Sequence, residues 1–276
     1  MSLVTSRVVA GDRIEDSIDF EIDGVRFVCG FVDRNRDNQF TLMKPASLLQ
    51  RYEPLLVGFD RPRMMELGIA YGGSLAYFAL RARPTKLVGI EYAPNRLVHL
   101  DRLIESRDLS SSVRPYYGVD QADRDRLREI ASVEFQGQPL DLVVDDASHR
   151  YDPTLASFET LFPLMRPGSM YVIEDWVGLH EMAAAFQRML DEAPTGEAEQ
   201  LAARIAERIE CGGGAETSLL RLAIELMLAQ ASPIQLIDEL IINRYWIAVR
   251  RGPAPLSAAK FRLSDHYTDP FGMVRP

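Results

Sequence analysis

The chain holds 276 residues, 47% hydrophobic and 26% charged, with a formal net charge of −9. This balance suits a globular protein of one large domain or a core with appendages, and the acidic charge argues against nucleic acid as a main partner. No apolar run reaches the roughly 20 residues that cross a bilayer, the opening residues lack the apolar stretch of a secretory signal, and Cys29 and Cys211 show no metal or disulfide spacing, so a cytoplasmic setting with no membrane partner is expected.

Residues 1–60 are expected to form an N-terminal appendage. Residues 19–23 and 25–32 alternate apolar and polar around Asp23-Gly24, a hairpin pattern. Pro45 then opens a helix over Ala46–Leu56. Such an appendage would cover the sheet or the active site, or build an oligomer contact.

From residue 61 to 252 the pattern changes to short apolar runs alternating with amphipathic stretches. Strands are predicted at Met64–Leu67, Leu87–Glu91, Val113–Tyr117, Leu140–Asp145 and Met170–Glu174, with helices at Ser74–Arg83, Asn95–Glu105, Ala122–Ile130 and Thr154–Leu164. Repeated βα units of this kind give an α/β fold with a doubly wound, Rossmann-like parallel sheet. Residues 178–231 read as three helices, Gly178–Glu192, Glu197–Glu210 and Thr217–Gln230, broken at Pro194 and Gly212–Gly214. That break suits a mobile lid or, equally, a loop between packed helices. Leu236–Ile242 and Tyr245–Arg250 form a C-terminal antiparallel hairpin, and the tail 253–276 is expected to drape over the surface.

Two strand ends carry the chemistry. Leu140-Asp-Leu-Val-Val-Asp-Asp-Ala-Ser-His149 and Tyr171-Val-Ile-Glu-Asp175 are apolar runs that stop on acids. In an open parallel sheet ligands collect at the carboxyl ends of the strands. Asp145, Asp146, Glu174 and Asp175 would share one crevice there, and a divalent cation is the usual way to neutralise such a cluster. His149, three residues past Asp146, could accept a proton beside it. Alternatively, Asp145 and Asp146 cap the helix that Asp152-Pro153 begins, and His149 is a structural hydrogen-bonder. His99 sits in an apolar helical pattern and reads as structural, His180 could approach a substrate, His266 has no assigned role, and Tyr245 and Trp246 read as core.

The first core strand runs into Glu66-x-Gly68-x-x-x-Gly72-Gly73-Ser74. A glycine-rich strand-to-helix turn lets backbone approach a ligand and presents helix N-terminal amides to it. Glu91 ends the next strand about 20 residues later, where an acid can accept from ribose hydroxyls. Together the two features point to a nucleoside-containing ligand.

The combination resembles the class I S-adenosylmethionine-dependent methyltransferases over residues 60–250, whose first motif is written E-x-G-x-x-x-G. The resemblance implies that Glu66, Gly68, Gly72 and Ser74 pass under the methionine part of the cofactor and that Glu91 holds its ribose. Asp120 and Gln121 would face the adenine, although Asp120 also suits a helix N-cap. Asp145-Asp-Ala-Ser-His149, Tyr171-Val-Ile-Glu-Asp-Trp176 and the segment Ser157–Gly168 resemble the metal-dependent O-methyltransferases. The closest group is the macrolide-sugar type, mycinamicin and macrocin, with the cephalosporin-hydroxylase-like proteins. It implies metal ligands Asp146, Glu174 and Asp175, a general base at His149, and Asp145 on the cofactor side. One departure is Ala147, where a Gly often precedes the Ser.

By that resemblance the chain is an enzyme. It would use S-adenosylmethionine and Mg²⁺, with Mn²⁺ equally compatible with oxygen ligands, to methylate a hydroxyl of a small-molecule acceptor such as a macrolide-like sugar. A homo-oligomer is implied too. Two alternatives stay open: a catechol-type enzyme acting on an aromatic diol, and a non-catalytic cofactor-binding partner subunit.

Overall fold

The structure, a computed structural model, describes residues 19–30, 33–177, 218–269 and 272. Its larger sheet has seven strands: β4 (Arg63–Leu67), β5 (Lys86–Glu91), β6 (Val113–Tyr117), β7 (Leu140–Asp145), β8 (Met165–Glu174), β9 (Ile237–Ile242) and β10 (Trp246–Arg251). They lie in the order β6-β5-β4-β7-β8-β10-β9. The predicted doubly wound α/β fold is present. Among the described residues no helix is long and apolar enough to cross a membrane.

The chain divides into two compact units, residues 1–120 with 129–147, and residues 121–128 with 148–276. In the first, β4 pairs in parallel with both β5 and β7, and β5 with β6. Met64–Leu67, Leu87–Ile90 and Leu140–Val144 are buried without interruption. Continuous burial, in place of alternation, is what a parallel strand covered on both faces requires. Helix α2 (Gly73–Ala82) follows β4 and is buried along nearly its whole length; α3 (Val98–Ser106) follows β5. The predicted helix start at Asn95 gives way to Val98, because Asn95–Leu97 run as an irregular segment held by Arg96 on Asp101 at 2.9 Å.

The N-terminal segment of this unit forms its own three-stranded sheet. The predicted hairpin is present as β1 (Asp19–Ile22) and β2 (Val25–Cys29), and β3 (Gln39–Leu42) adds a parallel strand to β2. β3 is absent from the sequence reading because its four residues are all buried and show no alternation. Phe20 and Phe27 stack at 5.2 Å and meet Tyr77 of α2 edge-on, each at 6.0 Å. Helix α1 (Ala46–Gly58) packs beside α2, with Tyr52 against Phe78 at 5.2 Å.

In the second unit, β10 pairs antiparallel with both β8 and β9, as the C-terminal hairpin predicted. Helix α5 (Tyr151–Leu161) packs its Phe158 against Tyr171 of β8 at 5.0 Å. Helix α6 (Leu219–Gln230) is the last of the three helices expected in 178–231. The other two, with His180 and the Gly212–Gly214 break, lie outside the described residues. Helix α4 (Arg124–Phe135) has parts in both units.

Candidate functional site

The sheet order reverses at β4, whose neighbours are β5 and β7. Ligands of open α/β sheets collect at the carboxyl ends of strands at such a switch point. In the first unit that end carries Gly68–Ser74, Glu91 and Asp145–Asp146.

The backbone at Gly68 is left-handed (φ +80°), and a Cβ there would run into the Asp146 carbonyl and Ala147 Cα. Gly68 is thus set by the close approach of two loops, the one after β4 and the one after β7. At Gly73 a Cβ would strike the Thr41 carbonyl, so β3 lies directly on the start of α2. Ser74 is buried in that first turn, and Ala70 adopts a left-handed φ of 43°. Glu91 organises this loop: one carboxylate oxygen accepts from the Ile69 and Ala70 amides at 3.2 and 2.9 Å, the other from the Ala93 amide at 2.9 Å. Glu66 is fully buried in β4, in register with Gly89 and Val144. Asp120 is exposed, and Gln121 is buried.

At the end of β7, Asp145 is buried in register with Leu67, while the Asp146 amide donates to the Leu67 carbonyl at 2.9 Å. The Asp146 carboxylate accepts from Lys44 Nζ at 2.8 Å. Sequence reasoning missed Lys44. The one available signal was compositional: this arginine-rich chain has lysine only at 44, 86 and 260.

The second unit carries the remaining candidate residues. Gln121 accepts from the Ser148 amide at 2.8 Å and donates to Ser157 Oγ at 3.3 Å, fixing the start of the His149 loop. Just beyond, Tyr151 donates to buried Glu225 of α6 at 2.6 Å. Burial pushes the Tyr151 phenol up, and the Glu225 carboxylate adds to the rise, so Tyr151 stays a neutral donor. Glu174 ends β8 buried, opposite Trp246. Asp175 donates its amide to the Tyr245 carbonyl at 3.2 Å, and Trp176 Nε1 donates to the Asn243 carbonyl at 2.6 Å. His149 and Asp175 both hold left-handed φ, 54° and 50°. Non-glycine residues rarely adopt this conformation, and such strain clusters at functional sites.

Asp146 in the first unit, and His149 and Asp175 in the second, each offer a potential metal-ligand atom. Carboxylates suit a hard divalent cation, and an imidazole can serve as base or ligand. Glu174 stands immediately before Asp175.

Residues 65–176 match the family described as a methyltransferase domain. Among relatives, 8-demethyl-8-alpha-L-rhamnosyl tetracenomycin-C 2'-O-methyltransferase of Streptomyces olivaceus is 43% identical over 118 residues, which cover 43% of this chain and 26% of the relative. Mycinamicin VI 2''-O-methyltransferase of Micromonospora griseorubida is 36% identical over 74 residues, 21% of this chain and 18% of the relative. The matches thus span about a quarter or less of these relatives' own length. The methyltransferase MycE of the mycinamycin pathway, solved with Mg, SAH and mycinamycin VI, aligns over 76% of this chain and 49% of its own, at a TM-score of 0.50 and 22% identity. That likeness shows the shared fold. The similarity of residues 65–176 to a methyltransferase domain, and of part of the chain to antibiotic-sugar O-methyltransferases, agrees with the resemblance read from the sequence.

Proposed function

We propose that the chain is an S-adenosylmethionine-dependent O-methyltransferase that acts on a hydroxyl of a sugar-bearing, antibiotic-like natural product with the help of Mg²⁺. The observation that carries this reading is the glycine loop after β4, held by Glu91 and closed on the Asp146 loop at Gly68; Asp146, His149 and Asp175 are the candidate groups around a cation. The names of the relatives support the acceptor class. The cofactor supplies an electrophilic methyl on a sulfonium, so the acceptor oxygen must arrive in line and lose its proton. Gly68, Gly72 and Ser74 bring backbone and helix N-terminal amides to the methionine part, with Glu66 beneath, Glu91 at the ribose, Asp120 and Gln121 at the adenine, and Asp145 on the cofactor side. Asp146, Glu174 and Asp175 would hold the cation, which when bound lowers the pKa of a coordinated hydroxyl and orients it. His149 takes the acceptor proton. A homo-oligomer remains part of this reading.

Calorimetric titration of S-adenosylhomocysteine and of Mg²⁺ tests it, on the native chain and on an Asp146→Ala/Asp175→Ala double variant. Both ligands are expected to bind the native chain, and only the Mg²⁺ heat should vanish in the variant. A folded chain that binds no S-adenosylhomocysteine would sink the methyltransferase reading. Cofactor binding with no Mg²⁺ heat, and methyl transfer that survives exhaustive chelation, would leave a metal-free enzyme.

A further inference from the structure

The proposed cation ligands include one residue that already faces a positive charge from the chain itself. Lys44 lies between β3 and α1, and its Nζ sits 2.8 Å from Asp146 Oδ2 across 102 residues of sequence. Its side chain is 1% exposed, whereas that of Asp146 is 21% exposed. Nζ also lies 5.9 Å from the ring centroid of Tyr52, which is fully buried on α1. Removing an ammonium from water is costly unless it is paired. A lysine buried this deeply is kept there by the negative charge it meets.

The backbone that carries Lys44 is fixed to the cofactor loop. The Thr41 amide donates to Asn35 Oδ1 at 2.7 Å, and Asn35 Nδ2 donates to the Tyr71 carbonyl at 2.7 Å. The Thr41 carbonyl also fills the space a side chain on Gly73 would need. Lys44 is thus anchored at one end to the loop after β4 and at the other to the loop after β7.

We propose that Lys44 is a resident counter-ion of the carboxylate site. It holds Asp146 in place when no divalent cation is bound, and its charge opposes that cation, so that it sets the cation affinity. The inference rests on the metal reading above. An ammonium and a dication drawing on one carboxylate repel each other at short range in a medium that screens poorly, an effect worth about tenfold or more in affinity. Lys44 acts through Asp146 and is therefore a positioning residue.

The test uses the full chain with Lys44→Met, which keeps the aliphatic stem without the charge, and Lys44→Arg, which keeps the charge. Lys44→Gln, an uncharged donor, runs in parallel in case Lys44→Met does not fold. Mg²⁺ affinity is measured by calorimetry, and thermal unfolding in chelator and in saturating Mg²⁺. The uncharged variants are expected to bind Mg²⁺ about tenfold tighter or more, with a Tm that falls in chelator and recovers in Mg²⁺. Lys44→Arg should follow the native chain. Unchanged or weakened Mg²⁺ affinity in the uncharged variants, with a Tm that falls equally in both conditions, would overturn the inference and leave Lys44 a pin for the N-terminal segment. No Mg²⁺ binding to native or variant chains would remove the metal reading itself, and this inference with it.

Discussion

Replacing Gly68 by Ala asks two things of the structure at once. The alanine must hold φ near +80°, which costs an L-residue about 1 kcal/mol or more, and its Cβ must displace the Asp146 carbonyl and Ala147 Cα. The neighbour is backbone, so it yields only by moving the loop that carries Asp146. Gly68→Ala is therefore expected to lower Tm and to weaken S-adenosylhomocysteine binding at least about tenfold, the equivalent of roughly 1.4 kcal/mol. Calorimetry and thermal unfolding check this, and full affinity in a stable variant would show that the two loops move apart freely. Residues of this kind are legible in sequence because their chemistry is local: Gly68 in its turn, Asp146 and His149 in one run of strand and loop, Asp175 at the next strand end. Glu91 was legible as an acid at a strand end, but not as the acceptor for three loop amides. Lys44 was not legible, since a single lysine carries no period and its partner lies 102 residues away.

Among elements, those with a strong period or a turn signal matched in place. β6 and β7 begin and end where the apolar runs do, and the β1–β2 hairpin turns at Asp23-Gly24. β3 was hidden because a short, fully buried strand gives neither alternation nor length, and its parallel partner β2 is set by tertiary pairing. Contacts between helices were equally invisible, and one of them makes a pH prediction. Glu53 of α1 accepts from Tyr77 OH and from Arg81 Nε of α2, both at 2.9 Å. Burial pushes its carboxyl up, but the hydrogen bonds from Arg81 and Tyr77 outweigh burial and hold it below the usual carboxylate range. A carboxyl lowered by folding stabilises fully above its unfolded value, and that contribution fades as pH falls through the folded one. Glu53→Gln is thus expected to lose stability at neutral pH, with the gap to the native chain closing on acidification below about pH 4. Denaturant unfolding across that range measures it. A gap that stays constant would make the clamp one of shape and not of charge.

For the whole molecule, the alternation of apolar runs and amphipathic stretches was enough to reach a doubly wound parallel sheet with an antiparallel C-terminal hairpin, because right-handed βα units leave few arrangements, but the order of its seven strands is set by tertiary pairing. Composition said less about what such a sheet binds, and a ligand that binds only the folded chain reports on that directly through stability. Such a ligand at 100 times its Kd adds about 2.7 kcal/mol, which for a chain of this size is a Tm rise of roughly 5–10 °C. S-adenosylhomocysteine is expected to give that rise alone, and Mg²⁺ a further one that chelator removes. The net charge of −9 makes one control decisive, because any salt relieves self-repulsion in an acidic protein. In NaCl of matched ionic strength the second rise should be clearly smaller, and in the Asp146→Ala/Asp175→Ala variant Mg²⁺ should do no more than NaCl. A Mg²⁺ increment that NaCl reproduces, or that the double variant keeps, would assign it to the acidic surface at large. Asp146, His149 and Asp175 would then serve a partner other than a cation.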